Sequence, residues 1–346
     1  MAKALIVSPY LDHLGGGERY MLTVASVLES LGYGVVYAWD NIGQIESLAS
    51  MLGIKLNSIV LDPKVKPLYF GSNPLAMYLA TRPYDVVIYL SDGSFPLLGG
   101  KKNLLHIQVP FHDVNGKNWK NQLKKNLISN IIVNSNFTKK IVDAEYDISS
   151  VVLYPPVPPI TTRGAKEKVI LSVGRFEPSL NAKKQDVLIK AFRQLSPQIP
   201  GWKLVLAGGS SSDEWVSNLR TQAEDIPVEF QVNATYQVLC TMYSKASVYW
   251  HAAGYGIDEA KNPELTEHFG ISTVEAISAG AIPLVVGKGG QTEIVNNPDL
   301  LWNSVEELAQ KTQQVVADPS LYSFADFPLS RYSAQTFASE LQKLIV

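Results

Sequence analysis

Between Val151 and Ile160 the chain reads VVLYPPVPPI, with prolines at 155, 156, 158 and 159. Proline fixes φ, lacks a backbone N–H and clashes with a preceding helical turn, so this stretch belongs neither to a helix nor to a central strand. It divides the sequence in two, and each part alternates apolar runs with amphipathic ones. Before it, KALIVSPY, GVVYAW, YDVVIYL, KNLLHIQV and SNIIVNS read as buried strands. GGGERYMLTVASVLESLGY carries Met21, Leu22, Val24, Ala25, Leu28 and Leu31 at helical spacing and closes at Gly32. After the prolines, KVILSVGRF, WKLVLAGG, VEFQVN, SVYWHA and AIPLVVG read as strands. KKQDVLIKAFRQL, YQVLCTMYSKA, STVEAISAG and VEELAQKTQQVVAD read as helices.

Strands alternating with helices predict parallel sheets covered on both faces. The expected fold class is therefore α/β, with two doubly wound domains joined at the prolines. A length of 346 residues, too great for one ordinary core, agrees. The last segment, SAQTFASELQKLIV, reads as an amphipathic helix free to pack on either half.

Hydrophobic residues make up 46% and charged ones 18%, with a net charge of −2, so nothing in the bulk charge favours nucleic acid or an anionic surface. Cys240 is the only cysteine, which excludes an intramolecular disulfide and suits a reducing compartment. The apolar start MAKALIVSPY is short for a signal peptide and reads as a first strand, and no apolar run is long enough to span a bilayer. The expected location is cytoplasmic, at most peripheral at the inner membrane face. That last expectation comes from KNWKNQLKKNLI, where Trp119, Leu123 and Leu127 share one helical stripe beside Lys117, Lys120, Lys124 and Lys125. Such a stripe lies more often in a core than on a bilayer.

Ligands of open parallel sheets bind beyond the carboxyl ends of the strands. Three glycine turns fall at such ends: Gly15 to Gly17, Ala207-Gly208-Gly209, and Gly287 to Gly290. Each alone is a turn; together they favour a ligand approached closely by backbone amides. The first lacks the G-x-G-x-x-G pattern of dinucleotide binding. Arg175 follows a strand end, and Lys183 and Lys184 precede a helix, a disposition suited to a diphosphate.

Within PELTEHFGISTVEAISAGAIPLVVGKGGQTEIV, Ser272 and Glu275 have capping-box spacing, which predicts a helix from about Thr273 to Gly280. The N–H groups near Phe269, Gly270, Ile271 and Ser272 are then free to bind an anion. Glu267 before the helix and Glu275 in its first turn flank that site. On spacing alone, a capping Glu275 and a solvated Glu267 are equally good readings.

The segments GGGER, SVGRF…K, LAGG, EHFGISTVEA, SAGAIPLV and GGQTEIV, in this order, resemble the retaining glycosyltransferases of family 4, and EHFGISTVE resembles their E-x7-E signature. The resemblance covers nearly the whole chain. It implies the GT-B fold, two Rossmann-like domains facing across a cleft: an acceptor-binding domain over 1–155 with a crossover helix over 331–346, and a nucleotide-sugar domain over 163–330. It implies transfer of a hexosyl group from a UDP- or GDP-linked donor to a hydroxyl of a saccharide, lipid-linked or small-molecule acceptor. Retention would follow from front-face attack, with no metal or other cofactor; the sequence has no D-x-D motif.

By the same resemblance Glu267 holds donor-sugar hydroxyls, Glu275 the ribose, and Arg175 and Lys183 the leaving diphosphate. Backbone at Gly208, Gly209, Phe269, Gly270, Ile271 and Ser272 approaches the donor, as do Gly16 and Gly17 from the other domain. Where relatives often place a histidine two residues before Pro110, this chain has Gln108; His106 and His112 are the neighbouring candidates, with His106 also readable as a core residue. The loop before Glu267 is longer than the family's and holds Asp258 and Glu259. The competing readings are a GT-B nucleotide-sugar epimerase, a non-catalytic nucleotide-sugar-binding protein, and a dinucleotide oxidoreductase.

Overall fold

A computed structural model describes residues 1–11, 15–71, 73–161, 164–178, 183–210 and 213–346. The chain divides into two units, Met1–Pro156 with Ala334–Val346, and Val157–Ser333. The first crossing thus falls inside the proline run, six residues before the expected second boundary at 163.

Unit 1 is built on strands β1 (Lys3–Val7), β2 (Gly34–Tyr37), β3 (Val60–Leu61), β4 (Val86–Leu90), β5 (Lys102–Ile107), β6 (Asn130–Val133) and β7 (Val151–Val152). They form one parallel sheet in the order β3-β2-β1-β4-β5-β6-β7. Helices α1 (Gly16–Ser30), α2 (Ile42–Met51), α3 (Lys66–Tyr69), α4 (Pro74–Thr81), α5 (Trp119–Lys125) and α6 (Asn136–Tyr146) cover it. Strand alternation splits the core into two layers. Val86, Ile88 and Leu90 of β4 pack with Met21, Val24 and Leu28 of α1. Val87 and Tyr89 pack on the other face with Met77 of α4, Phe95 and Tyr146 of α6.

Unit 2 is built on β8 (Glu167–Val173), β9 (Lys203–Gly208), β10 (Val228–Val232), β11 (Ala246–His251), β12 (Ile282–Val286) and β13 (Leu301–Trp302). Its parallel order is β10-β9-β8-β11-β12-β13, so chain direction reverses between β8 and β11. That is the doubly wound pattern, with its ligand crevice at the carboxyl ends of the two central strands. Helices α7 (Gln185–Leu195), α8 (Asp213–Gln222), α9 (Tyr236–Lys245), α10 (Ile271–Ser278), α11 (Gln291–Ile294) and α12 (Val305–Ala317) enclose the sheet. Tyr243 of α9 and Ala276 of α10 pack on one face with Leu171 and Tyr249. On the other, Trp250 meets Phe192 edge-on at 6.3 Å and donates to Thr312 Oγ1 at 3.1 Å.

The last helix, α13 (Ala334–Ile345), belongs to unit 1. Its Phe337, Leu341 and Ile345 are buried in the α1 layer, Phe337 edge-on to Tyr20 at 5.2 Å. The crossing into it is anchored within unit 2, where Val157 N–H donates to the Tyr332 carbonyl at 2.7 Å.

Two local expectations are corrected. Helix α10 starts at Ile271 with Gly270 as its N-cap at φ 114, and no side chain caps it. Ser272 and Glu275 both lie inside the helix, so the expected capping box does not form. The stripe of Trp119, Leu123 and Leu127 points outward, at 69%, 61% and 39% exposure; the buried residue of α5 is Asn121. Among the described residues, no helix is long and apolar enough to cross a membrane.

Candidate functional site

In unit 2 the chemistry gathers at the carboxyl ends of β8 and β11. Beyond β8, Gly174 N–H donates to the Ala207 carbonyl at 2.9 Å and Phe176 N–H to the Gly209 carbonyl at 2.8 Å, which ties this loop to the end of β9. The approach is close enough that a Cβ on Gly208 would stand 2.0 Å from the Gly174 carbonyl oxygen. Gly208 therefore serves backbone-to-backbone packing, and the missing side chain at Gly174 makes room for the Lys183 stem, whose Cγ would lie 2.6 Å from a Cβ there. Gln185, 3% exposed, donates to the Arg175 carbonyl at 2.9 Å and fixes the loop against α7.

Lys183 Nζ lies 2.6 Å from Glu267 Oε2. The same oxygen lies 3.0 Å from His251 Nε2, within ion-pair range but off the line of a regular hydrogen bond. His251 ends β11 and is 2% exposed. Ala253 N–H donates to its Nδ1 at 3.2 Å, so the neutral ring carries its proton on Nε2, facing Glu267. Burial pushes the His251 pKa down; the Glu267 carboxylate pulls the other way and Lys183 adds to the lowering. For Glu267 burial disfavours the charge, but Lys183 and His251 outweigh it and hold the carboxyl well below its usual range. The result is a fixed carboxylate flanked by a cation and a neutral imidazole.

The Glu267 backbone is clamped from behind. Gly290 N–H donates to the Glu267 carbonyl at 2.7 Å. A Cβ on Gly290 would stand 2.2 Å from the His268 carbonyl, and one on Gly289, at φ 70, would stand 2.4 Å from that of Glu267. Of the three turns expected to touch ligand, Gly287 to Gly290 thus supports the Glu267 loop. The long preceding loop is held to it as well: Glu259 accepts from Gly289 N–H at 2.9 Å, and Lys288 Nζ donates to the Ile257 carbonyl. Asp258 stays local, accepting from Ala260 N–H at 3.2 Å.

Phe269 is 3% exposed and packs on Tyr332, with ring centroids 5.4 Å apart. Its neighbours Gly270, Ile271 and Ser272 open α10, where N–H groups have no intrahelical acceptor. Glu275, 6% exposed, accepts from the buried Tyr243 hydroxyl at 3.0 Å, and Ser272 Oγ accepts from Tyr249 at 2.8 Å. Arg175 is exposed, with no side-chain hydrogen bond or ion pair among the described residues. Residues 179–182, between Arg175 and Lys183, lie outside the described residues. Next to Gly209, Asn233 Oδ1 accepts from Ser210 N–H at 2.9 Å.

In unit 1, Gly16 and Gly17 open α1 behind Gly15. A Cβ on Gly17 would stand 2.5 Å from Gln108 Nε2, so those two candidates do meet. His106 is fully buried, stacked on Tyr20 at 4.1 Å and 9°, with Nδ1 3.2 Å from the Ile132 carbonyl. Burial pushes its pKa down to about 4. Of its two readings, the structure gives the core histidine. His112 is half-exposed and pairs with Asp113 at 3.0 Å.

His251 was not among the expected site residues. A single histidine closing an apolar strand, VYWH, carries no signal separating it from core packing; only its distance to Glu267 does.

Residues 158–325 match the family model described as Glycosyl transferases group 1. The GDP-Man:Man(3)GlcNAc(2)-PP-Dol alpha-1,2-mannosyltransferase of Dictyostelium discoideum is 27% identical over 245 residues, covering 62% of this chain and 46% of that protein. The chain spans about half the length of the first curated relatives it matches. Among solved structures, Anabaena HepE in complex with UDP and glucose superposes with TM-score 0.70 at 16% identity, over 99% of both chains. UDP-GlcNAc 2-epimerase from Neisseria meningitidis, bound to UDP-GlcNAc, gives TM-score 0.60 at 12% identity, over 99% of this chain and 98% of that one. These likenesses show the GT-B fold, two Rossmann-like parallel-sheet domains.

Proposed function

We propose that the chain is a metal-independent, retaining hexosyltransferase that moves a sugar from a UDP- or GDP-linked donor to an acceptor hydroxyl. The observation that carries this reading is the convergence of Lys183 and His251 on one oxygen of Glu267, at the β8–β11 switch point of a unit matching the group 1 glycosyl transferase model. The fold alone does not decide it, since an epimerase shares it.

In this reading Glu267, kept ionised, accepts hydrogen bonds from donor-sugar hydroxyls. Lys183 faces the diphosphate oxygens, where negative charge grows as the sugar–phosphate bond breaks. Arg175 folds in from its exposed position, and the N–H groups opening α10 add fixed donors. Charge is thus stabilised without reorganising solvent, and no metal is required for that task. The acceptor hydroxyl attacks from the leaving-group side, with a departing phosphate oxygen taking its proton, and the anomeric configuration is retained. Glu275 receives the ribose hydroxyls in exchange for Tyr243. GDP-mannose and a lipid-linked oligosaccharide are the first donor and acceptor to try, because the curated relatives are named for them.

The test begins with thermal shift against UDP, GDP and NAD; the diphosphates should stabilise the protein and NAD should not. Nucleotide sugars are then screened for hydrolysis and transfer by mass spectrometry, with product configuration read by NMR and the reaction repeated in EDTA. An isomerised nucleotide sugar with no transfer product would replace this reading with the epimerase. An inverted product, or loss of turnover in EDTA, would remove its retaining or metal-independent part.

A further inference from the structure

Among the described residues, large apolar side chains left in water are concentrated in unit 1; in unit 2 only Val238 and Leu321 are so exposed. Six of those in unit 1 fall on two segments: Phe70 (70%), Leu75 (61%) and Leu79 (55%), then Trp119 (69%), Leu123 (61%) and Leu127 (39%). Leu75 and Leu79 are one turn apart on α4, as are Trp119 and Leu123 on α5. Each helix also has an inward side, Met77 at 4% and Asn121 at 9%. The outward faces, polar in an ordinary surface helix, are here apolar.

Both segments lie on one side of the unit 1 sheet. Met77 and Ile128 pack in the same layer with Phe95 and Leu105, and Lys124 Nζ reaches across to the Phe95 carbonyl at 2.7 Å. Their charge has one sign. From Lys64 to Arg82, and from Asn115 to Ile128, the sequence has no Asp or Glu but has Lys64, Lys66, Arg82, Lys117, Lys120, Lys124 and Lys125. Lys66 is paired with Asp40 at 2.8 Å, and Lys124 and Lys125 cap backbone carbonyls. Lys117 and Lys120 make no ion pair among the described residues. Carboxylates border the two segments and have placed partners: Asp62 accepts from Lys64 N–H at 3.1 Å, Asp113 lies 3.0 Å from His112, and Glu145 accepts from Gly116 N–H at 3.1 Å.

We propose that this face of unit 1 docks on an anionic lipid bilayer. Trp119, Leu123, Leu75 and Leu79 enter the boundary between headgroups and acyl chains, and Lys117 and Lys120 meet the lipid phosphates. Tryptophan suits that boundary through its apolar ring and polar N–H, and lysine stems lie along apolar surface while their heads reach charge. A second copy of the chain is the poorer occupant, because a two-fold contact would set these unpaired lysines against themselves. The inference stands on this surface and not on the glycosyl-transfer reading.

The test is co-sedimentation of the full chain with vesicles of phosphatidylcholine, with and without phosphatidylglycerol. Wild type should pellet with the anionic vesicles and about tenfold less with neutral ones or in high salt. W119S/L123S and L75S/L79S should each lower the bound fraction about tenfold, and K117E/K120E should remove the preference for phosphatidylglycerol. All three variants should keep the wild-type circular dichroism spectrum and nucleotide-diphosphate thermal shift, so membrane docking and donor binding are read separately. No pelleting, or pelleting unchanged in both apolar variants, overturns the proposal. So does a dimer seen by light scattering that W119S/L123S dissociates while no vesicles are bound.

Discussion

Lys183 Nζ stands 2.6 Å from Glu267 Oε2, although 84 positions separate the two residues in the chain. The contact joins the loop after β8 to the loop before α10, and in the proposed reaction it sets a cation beside the departing diphosphate. Lys183→Ala and Glu267→Ala are each expected to lower transfer by about 100-fold or more, with the fold intact by circular dichroism. Wild-type turnover in both would reject the site.

Lys183 and His251 share Glu267 Oε2, so both Lys183 and Glu267 act on the protonation of His251. Lys183 opposes a charge on His251 and Glu267 favours one. Lys183→Met should raise the His251 pKa, and Glu267→Gln should lower it further. An NMR titration of the His251 ring protons reads both; shifts of the opposite sign would mean that the ring does not face this carboxylate in solution.

Three glycines make separable predictions. A side chain at Gly208 or Gly290 would collide with backbone, at 2.0 and 2.2 Å, whereas one at Gly174 would meet only the Lys183 stem. Gly208→Ala and Gly290→Ala should each cost about 2 kcal/mol or more in urea unfolding. Gly174→Ala should cost less stability but lower turnover by displacing the Lys183 ammonium. Equal stability losses in all three would contradict this division.

His106 predicts a pH dependence of folding. Its folded pKa of about 4 lies below the unfolded value near 6.5. Between these values the unfolded chain binds more protons, so stability is full above about pH 6.5 and falls as the pH drops toward 4, by up to about 3 kcal/mol from this group. His106→Phe keeps a ring against Tyr20 and should flatten that slope in urea titrations at pH 7.5, 6 and 5. An unchanged slope would mean that the other buried histidines carry it.

Much of the fold was legible in the sequence. The prolines at 155 to 159 marked the joint because proline's restrictions are local, and the strand–helix alternation is set by apolar periodicity, which a single chain displays. Motif order sets Lys183 and Glu267 at one site, and the structure brings them within 2.6 Å of each other. What stayed hidden depends on partners distant in sequence. Ser272 and Glu275 have capping-box spacing, yet tyrosines at 249 and 243 claim them and Gly270 takes the cap in a left-handed conformation. Gly289 and Gly290 look like ligand-contact glycines, and what the sequence does not show is that their missing side chains let the carbonyls of Glu267 and His268 come close. The Trp119 stripe had a visible period, but periodicity gives a face and not its direction. Leu75 and Leu79, on the same outward surface, sit in a helix whose short pattern did not stand out.

The return of α13 to unit 1 has a consequence for biogenesis. During synthesis, Phe337, Leu341 and Ile345 leave the ribosome only after every strand of both sheets has emerged. The amino-terminal sheet, although α1 and α2 already pack on that side, waits with one patch of it uncovered, while Val157–Ser333 already has all its own elements. The half whose sheet is made first is thus completed by a later helix, and until then the apolar surface around Tyr20, on which Phe337 closes, stays open.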